Sequence, residues 1–245
     1  MNYKKISIII PAYNEGRYLT SLLDKVIAAD SLGLVKEILI IDDCSNDSTK
    51  KTLRKICSRK LNKKYSIKVL FKKVNEGKGA AVTDGLKIAT GEIILIQDAD
   101  LEYTPDDYPI ILSPIISGKA RIVYGSRTKG IKVYGNKYSS YVFFLGGKIL
   151  SLLVNSLFNL KLTDQPTGYK LFTADLTALL LKNIRESDFS FEVEMTACFS
   201  QNNIKIIEVP IHYQPRSISE GKKINFNDFI KSVYIAFKCR FQYGH

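Results

Sequence analysis

Apolar positions recur with two different periods along the first half of the chain. Short runs rich in Ile, Val and Leu predict strands, and between them apolar residues return every three or four positions, as on one face of a helix. The predicted strands cover residues 6–10, 37–41, 67–71, 92–97 and 121–124. The predicted helices cover residues 19–27, 48–58 and 79–89, and a further helix begins at Thr104. This alternation predicts an α/β fold with a mostly parallel central sheet and helices on both faces.

The second half of the chain carries two long apolar segments in less regular surroundings. Residues 141–160 form an apolar helical pattern with one narrow polar stripe, and residues 226–241 form a helical pattern with one apolar stripe. Amphipathic helices of this kind lie in membrane interfaces, although similar helices also cover a sheet or another subunit. Because no run of 18 uninterrupted apolar residues occurs, the pattern predicts no transmembrane helix. Between the two segments we expect a loop at 164–168, a helix, a strand at 204–209 and a basic loop at 216–223.

Composition limits the kind of partner. The 245 residues include 36 Lys and Arg against 24 Asp and Glu, which gives a net charge of +12. A surplus of this size favours anionic partners such as nucleotide phosphates or an acidic membrane surface. We expect no nucleic acid partner, because no recognised binding motif accompanies the charge. The four cysteines lack zinc-ligand spacing and indicate reduced thiols in a cytoplasmic protein.

Three carboxylates come at the end of the strand predicted at 92–97. Asp98, Asp100 and Glu102 alternate along the chain, and alternate side chains of extended backbone point the same way. Three negative charges brought together repel one another unless a cation lies between them. Oxygen ligands suit Mg²⁺ or Mn²⁺, which also bridge to phosphate oxygens. We therefore predict a metal site in preference to a solvated acidic loop, because neighbouring strand ends carry further polar motifs.

Two of these motifs follow the second and third predicted strands. Residues 42–49 are Asp-Asp-Cys-Ser-Asn-Asp-Ser-Thr, in which a carboxylate can accept hydrogen bonds from a base or a ribose hydroxyl while Asp47 or Ser48 caps the next helix. Residues 75–81 are Asn-Glu-Gly-Lys-Gly-Ala-Ala. The two glycines allow a ligand to approach closely, and Lys78 adds positive charge at a helix start. The spacing differs from that of a phosphate-binding P-loop.

In combination these motifs resemble glycosyltransferase family 2 in order and spacing. The four motifs are Pro11-Ala12-Tyr13-Asn14-Glu15, Asp42-Asp43 with Ser45, Asp47 and Thr49, Asn75 with Gly77-Lys78-Gly79, and Asp98-Ala99-Asp100. The later half resembles the branch of dolichyl-phosphate mannose and glucose synthases and their bacterial polyprenyl-phosphate relatives. The segments that carry this second resemblance are 125–127, 164–172, 191–194 and 209–211, followed by Arg216 and the motif at 220–224.

The resemblance implies an A-type nucleotide-diphospho-sugar transferase fold as a single domain over residues 1–245. Residues 1–130 would bind the nucleotide sugar. Residues 131–245 would bind the acceptor, with 141–160 and 226–241 as candidate membrane-interface helices.

The resemblance also implies roles for individual residues. The implied nucleotide-sugar ligands are Pro11, Tyr13, Glu15, Asp43, Lys78 and Asp98. The implied metal ligands are Asp98, Asp100 and Glu102, the implied catalytic residues are Asp100, Arg127 and Lys170, and the implied acceptor-phosphate ligands are Arg127, Lys170 and Arg216. Glu102 departs from the mannose synthases, which often have Gln at this position, and its extra charge should tighten metal binding.

The implied reaction transfers a hexose, with inversion, from a nucleoside diphosphate sugar of the GDP-mannose or UDP-glucose type to a dolichyl or polyprenyl phosphate. It would depend on Mg²⁺ or Mn²⁺. The protein would bind peripherally to the cytoplasmic face of a membrane. A phosphate acceptor is already mostly dianionic near neutral pH, so it needs cations that position it and no general base.

Two alternatives stay open. An acceptor with a glycan hydroxyl would need a general base, and Asp164, Glu192 and Glu194 are the candidates. A catalytically silent module that binds nucleotide sugar or lipid would usually have a damaged metal motif, whereas Asp98 and Asp100 are both present. The pattern does not distinguish between sugars, between uridine and guanosine donors, or between oligomeric states.

Overall fold

The computed structural model describes residues 3–57, 64–138, 140–216 and 226–242. The strands in these ranges are β1 (Lys5–Ala12), β2 (Val35–Asp42), β3 (Tyr65–Phe71), β4 (Ile93–Ile96), β5 (Ile122–Ser126), β6 (Lys170–Thr173) and β7 (Ile206–Pro210). They form one sheet in the order β3-β2-β1-β4-β6-β5-β7, to which both halves of the chain contribute. Neighbouring strands are parallel except at β6, which is antiparallel to β4 and β5.

Helices cover both faces of this sheet, which confirms the predicted α/β class and the mostly parallel arrangement. The helices are α1 (Leu19–Ala28), α2 (Thr49–Cys57), α3 (Lys78–Ile88), α4 (Tyr108–Ile116), α5 (Arg127–Tyr134), α6 (Tyr141–Phe158), α7 (Thr177–Asn183), α8 (Phe191–Gln201) and α9 (Phe226–Gln242).

The core lies in two layers because side chains alternate across each strand. Ile8 and Ile10 of β1 face a layer formed with α1 and α4, while Ile9 faces a layer formed with α3 and α8. All three side chains are fully buried. Branched apolar residues on both faces explain why the strands appear as continuous apolar runs in the sequence.

The strand β6 is an element that the apolar pattern did not predict. It has four buried residues and begins with a charged one, Lys170. Such a short run with a charge gives little strand signal. Lys170 is tolerated in the sheet because Glu192 of α8 lies 3.0 Å from its ammonium group. The predicted loop at 216–223 and the motif at 220–224 lie, apart from Arg216, outside the described residues.

A third apolar cluster joins the two helices that the pattern identified in the second half. Leu150 and Val154 of α6 pack with Ile235 and Ala236 of α9 and with α8. Each helix turns another apolar stripe outward. The exposed stripe of α6 consists of Tyr141, Val142, Leu145, Ile149 and Leu152, and that of α9 consists of Phe226, Ile230, Tyr234, Phe237 and Phe241.

The polar stripe of α6 faces the protein. The Ser151 hydroxyl accepts a hydrogen bond from the backbone N–H of Gln165 at 3.0 Å, and the Asn155 amide bonds to the backbone of Leu162 in both directions. Because these polar side chains bond to the protein, the outward face of α6 is the apolar one. By length and composition α6 is also apolar enough to cross a membrane, with a mean hydropathy of 1.6.

Glu37 fastens the edge of the sheet where the parallel strands begin. Its carboxylate accepts hydrogen bonds from the Ser7 hydroxyl at 2.6 Å and from the backbone and hydroxyl of Thr90, both at 2.8 Å. Lys5 and Lys68 form ion pairs with it at 3.2 and 3.1 Å. Burial alone would raise the pKa of this carboxyl, but the hydrogen bonds outweigh that effect and lower the pKa to about 2.

Replacement of Glu37 by Gln tests this fastening. Because the folded-state pKa lies below the ordinary value of 4.5, the carboxylate stabilises the fold above that pH and loses its contribution as the pH falls toward 2. We expect Glu37→Gln to lower the free energy of unfolding by roughly 3 kcal/mol at pH 7. The deficit should shrink below pH 4. Urea denaturation at several pH values measures it, with the exposed Glu76→Gln as control. A deficit that does not change with pH would contradict the assignment.

Candidate active site

The acidic residues predicted to bind metal lie at the carboxyl edge of the sheet, directly after β4. Asp98, Asp100 and Glu102 are all mostly buried, with side-chain exposures of 18%, 12% and 10%. The carboxylates point to two different cations. Asp98 contacts the Lys78 ammonium at 2.6 Å, whereas Asp100 contacts the Arg216 guanidinium at 2.7 Å. In the described part of the chain, no three acidic, His or Cys side chains are close enough together to hold one ion.

Arg216 gathers three carboxylates from two strand ends. Its guanidinium lies 3.1 Å from Glu15, which follows β1, and 3.7 Å from Glu102. Its backbone N–H also donates to Glu102 at 2.8 Å. The second carboxylate oxygen of Glu102 accepts from the Tyr213 hydroxyl at 2.9 Å. Glu102 therefore binds residues 213–216 to the acidic loop.

Asp100 has two carboxylate neighbours, Asp98 and Glu102, and one cationic neighbour, Arg216. Burial, together with the neighbouring Asp98 and Glu102 carboxylates, raises the pKa of Asp100 to about 7, although Arg216 opposes the shift. Burial is the largest cause of this shift, and repulsion between the neighbouring carboxylates adds to it. A cation at this edge would relieve the repulsion.

A row of alternating charges runs inward from Asp98. The Lys78 ammonium lies between Asp98 and Glu192, 2.9 Å from the latter, and Glu192 in turn contacts Lys170. Burial would raise the pKa of Glu192, but the two lysines lower it to about 2. A side chain at Gly168 would overlap the Asp98 carboxylate, so glycine is required at this close approach.

Lys170 is placed differently from its predicted role as a phosphate ligand. It is 1% exposed, and its three N–H groups are directed at Glu192, at the carbonyl of Gln165 and at the carbonyl of Thr167. An ammonium group has three donors, so none is left for an acceptor. Lys170 is linked to Asp98 only through Glu192 and Lys78.

Arg127 is also engaged, but it keeps one side toward an opening. The guanidinium donates to both oxygens of Asp164 at 2.8 and 2.7 Å and to the carbonyl of Pro166 at 3.0 Å. Burial would lower the pKa of Arg127, but the Asp164 carboxylate and the Tyr103 and Tyr213 hydroxyls together raise it well above the ordinary value. Arg127 lines a cavity of about 40 Å³ with Thr128, Tyr138, Phe143, Phe144, Gly147, Lys148, Thr163, Asp164 and Tyr213.

The residues predicted to bind the nucleoside lie at the same edge of the sheet. Pro11 lies near the end of β1, which pairs with the end of β2. Tyr13 and Glu15 follow β1 directly. The Asp43 carboxylate accepts from the backbone N–H groups of Glu76 and Gly77 at 3.0 and 2.7 Å. Asp43 thus fixes the glycine-rich loop to the end of β2 and is only 3% exposed.

The three candidate general bases all have structural partners. Asp164 holds Arg127, and Glu192 holds both Lys78 and Lys170. Glu194 accepts from the backbone N–H groups of Arg185 and Glu186 at 2.7 and 2.8 Å, and it is 3% exposed. None of the three carboxylates is presented to solvent as a base.

Sequence reasoning did not identify Lys148 and Tyr213 as site residues. Lys148 is the one charged residue in the segment 141–160, and an isolated charge in an apolar helix is a usable signal. Tyr213 lies three residues before Arg216 and gave no comparable signal in the sequence. Its hydroxyl on Glu102 and its ring, 5.2 Å from the Arg127 guanidinium, join the acidic loop to the cavity.

The changed placement of Lys170 leads to a stability prediction. In Lys170→Met the buried Glu192 keeps only Lys78 as a cation, and the backbone carbonyls of Gln165 and Thr167 lose their donor. We therefore expect a loss of about 3–5 kcal/mol in the free energy of unfolding. Urea denaturation of this variant, compared with the exposed Lys161→Met, measures the loss. If Lys170→Met were as stable as the wild type and impaired only in acceptor binding, the phosphate-ligand role would be the right one.

Comparison with known proteins gives matches over most of the chain. A dolichol-phosphate mannosyltransferase of Pyrococcus furiosus is 30% identical over 221 residues, which are 89% of this chain and 59% of that protein. The chain therefore spans less than two thirds of this relative. A dolichyl-phosphate beta-glucosyltransferase of Dictyostelium discoideum is 29% identical over 251 residues, covering 97% of this chain and 74% of that protein.

Solved structures match the fold at lower identity. The glucosyl-3-phosphoglycerate synthase of Mycobacterium tuberculosis, crystallised with Mn²⁺, UDP and phosphoglyceric acid, superimposes with a TM-score of 0.70 at 18% identity. The match covers 97% of this chain and 78% of that chain. This likeness confirms the predicted A-type glycosyltransferase fold.

The family itself is shown by its sequence profile. The profile described as glycosyl transferase family 2 matches residues 7–182, which run from within β1 through α7 and include the motifs that follow β1, β2, β3 and β4. The predicted resemblance and the predicted enzyme class are confirmed: the chain belongs to glycosyl transferase family 2.

Proposed function

We propose that this chain transfers a hexose, in a metal-dependent inverting reaction, from a nucleoside diphosphate sugar to a polyprenyl or dolichyl phosphate. The named relatives in Pyrococcus and Dictyostelium act on dolichyl phosphate according to their names, which supports this acceptor class. The donor belongs to the GDP-mannose or UDP-glucose type. We place the reaction at the cytoplasmic face of a membrane, with the protein bound peripherally.

The engagement of the three candidate bases is the observation that carries the proposal. Asp164, Glu192 and Glu194 are each held by buried cations or backbone N–H groups. A hydroxyl acceptor would need one of them to take a proton. A phosphate acceptor brings its own negative oxygens and requires only positioning against the anomeric carbon.

Donor binding is assigned to the carboxyl edge of β1, β2 and β4. We propose that Pro11, Tyr13 and Glu15 contact the nucleoside. Lys78 and Asp98 complete the surroundings of the bound nucleotide sugar. Ligands of parallel sheets bind outside this edge. Asp43 acts from behind, since its contacts with Glu76 and Gly77 fix the loop that the donor would touch.

The carboxylates at this edge carry the ligand atoms for a divalent cation, which they could offer once Lys78 and Arg216, their present partners, are displaced. Asp98 and Asp100, with Glu102 beside them, supply the hard oxygen ligands that Mg²⁺ and Mn²⁺ prefer. When bound, such an ion would neutralise the departing diphosphate. The crystallised synthase of Mycobacterium tuberculosis contains Mn²⁺ with UDP, which supports the choice of ion.

The acceptor phosphate is assigned to the cavity between Arg127 and Lys148. Its volume of about 40 Å³ has room for a group the size of a few water molecules. Arg127 contributes charge from the protein side, and Lys148 contributes it from α6. We assign Arg216 to the same phosphate, from the side of Asp100. Lys170 supports the position of Asp98 indirectly, through Glu192 and Lys78.

The outward stripes of α6 and α9 support membrane contact. Tyr141, Val142 and Leu152 of α6 are 75%, 75% and 68% exposed, and Phe226 and Phe241 of α9 are 72% and 71% exposed. Two adjacent apolar stripes are costly in water and are stabilised at a lipid interface. Lys148 lies on α6 itself, so a lipid chain on this helix would bring its phosphate to the cavity.

Asp100→Asn tests the metal role. Loss of one charged ligand should lower the transfer rate at least roughly 100-fold, because the leaving diphosphate loses its stabilisation. Calorimetry of UDP and GDP with Mn²⁺ should show weaker binding to the variant, and chelation should remove the difference between variant and wild type. The exposed Asp106→Asn in the same loop is the control. Full activity of Asp100→Asn in Mn²⁺ would refute the assignment.

Lys148→Ala tests the acceptor cavity. Since one charge-assisted contact would be lost, we expect the lipid-phosphate concentration for half-maximal rate to rise about tenfold. Donor affinity should stay unchanged. The assay combines Mn²⁺, labelled GDP-mannose or UDP-glucose and a polyprenyl phosphate, followed by lipid extraction. Lys161→Ala, which removes the same charge from an exposed site, is the control.

Two results would contradict the acceptor proposal. A fall in donor affinity for Lys148→Ala would assign this lysine to the nucleotide. Glycosylation of a glycan hydroxyl, with no labelled lipid formed, would favour the hydroxyl alternative and require a base that moves out of its present ion pair.

A further inference from the structure

Arg216 occupies the position where the proposed metal ion needs its ligands. Its guanidinium nitrogens lie 2.7 Å from Asp100, 3.1 Å from Glu15 and 3.7 Å from Glu102. The side chain is 12% exposed, and its guanidinium lies 5.4 Å from the centre of the Tyr18 ring. A buried cation among carboxylates is held strongly, because each partner would otherwise carry an unpaired charge.

Both oxygens of Asp100 are already in use. One accepts from Arg216, and the other accepts from the backbone N–H of Glu102 at 3.0 Å. Glu102 is likewise occupied by the Tyr213 hydroxyl and by the backbone N–H of Arg216. A divalent ion that took these oxygens would meet the positive guanidinium at contact distance. The ion and Arg216 therefore exclude each other from the same carboxylates.

The segment that carries Arg216 is anchored on one side of it. The backbone N–H and the ring Nδ1 of His212 lie 2.7 Å from the two oxygens of Asp107, and the backbone N–H of Gln214 donates to the carbonyl of Glu102 at 2.9 Å. These anchors do not involve the guanidinium. The Arg216 side chain can leave the carboxylates while residues 212–214 stay in place.

We propose that Arg216 is a tethered counter-cation that neutralises the metal-binding carboxylates in the absence of donor and yields them when metal and nucleotide bind together. The proposal rests on the metal-dependent function proposed above. The diphosphate of the donor gives the released guanidinium a new anionic partner, with which arginine forms paired hydrogen bonds. Metal alone lacks this second partner. Binding of Mn²⁺ is thereby made dependent on the nucleotide.

Mn²⁺ binding without turnover tests the counter-cation. The free Mn²⁺ signal in electron paramagnetic resonance gives the dissociation constant for the wild type and for Arg216→Gln, with and without UDP or GDP. Without nucleotide we expect Arg216→Gln to bind Mn²⁺ about tenfold more tightly, a size usual for coupled binding events. With nucleotide the advantage should disappear, because the variant has lost the contact to the diphosphate.

Two further variants separate the local effect from others. Arg216→Lys keeps the charge without the planar fork, so its Mn²⁺ affinity without nucleotide should lie between those of the wild type and Arg216→Gln. Arg121→Gln removes one positive charge at a surface pair with Asp175 and should leave Mn²⁺ affinity as in the wild type. Thermal unfolding of each variant verifies that it folds.

The outcomes distinguish this inference from the function on which it rests. If the wild type binds Mn²⁺ with nucleotide, but Arg216→Gln binds Mn²⁺ alone no more tightly than the wild type, the counter-cation is refuted and the metal site stands. An equal gain in Arg121→Gln would also refute it, since net charge would then be the cause. If no form binds Mn²⁺ with or without nucleotide, the metal-dependent function fails and the inference fails with it.

Discussion

The two halves of the chain are joined by a row of buried opposite charges. Asp98 at the end of β4 contacts Lys78 at the start of α3, Lys78 contacts Glu192 of α8, and Glu192 contacts Lys170 of β6. Every charge in this row is desolvated, so each depends on its neighbours to be tolerated. The row fixes the direction of Asp98 at the carboxyl edge of the sheet. Removing Lys78 would leave Asp98 without its cation, and removing Glu192 would leave Lys170 without its carboxylate.

The same row includes a residue of β6, the strand that runs antiparallel to both of its neighbours. Lys170 enters the sheet between Ile96 of β4 and Tyr124 of β5, with its ammonium 4.9 Å from the Tyr124 ring. Its ammonium then reaches Glu192 on the helical layer. Gly168, two residues before Lys170, packs against Asp98, which places the 164–168 loop directly against this carboxylate. Close packing and charge pairing therefore fix the same geometry.

The parallel part of the fold could be predicted because it depends on local apolar runs. Strands β1, β2, β4 and β5 follow the runs closely, since each of them is buried on both faces, whereas β3 at the sheet edge is partly exposed. The site was predicted at the level of residue type and edge, from Asp98, Asp100 and Lys78 at strand ends. The partners of Lys170 and Arg216 could not be predicted. A sequence shows which residues are charged, but only the distances between remote segments decide which charges pair.

Ion pairs link α9 to residues 186–188, which pack against the glycine-rich loop at 75–81. Lys231 of α9 lies 2.9 Å from Glu186, and Lys238 lies 3.3 Å from the same carboxylate. The next residue, Ser187, accepts a hydrogen bond from the backbone of Ala80 at 2.9 Å, and side chains at Gly77 or Gly79 would overlap this segment. Helix α9 is thus linked to the loop that carries Lys78 through residues 186 and 187. Because partly exposed ion pairs contribute only about 0–1 kcal/mol each, glycine packing must hold this loop in place more than the lysines do.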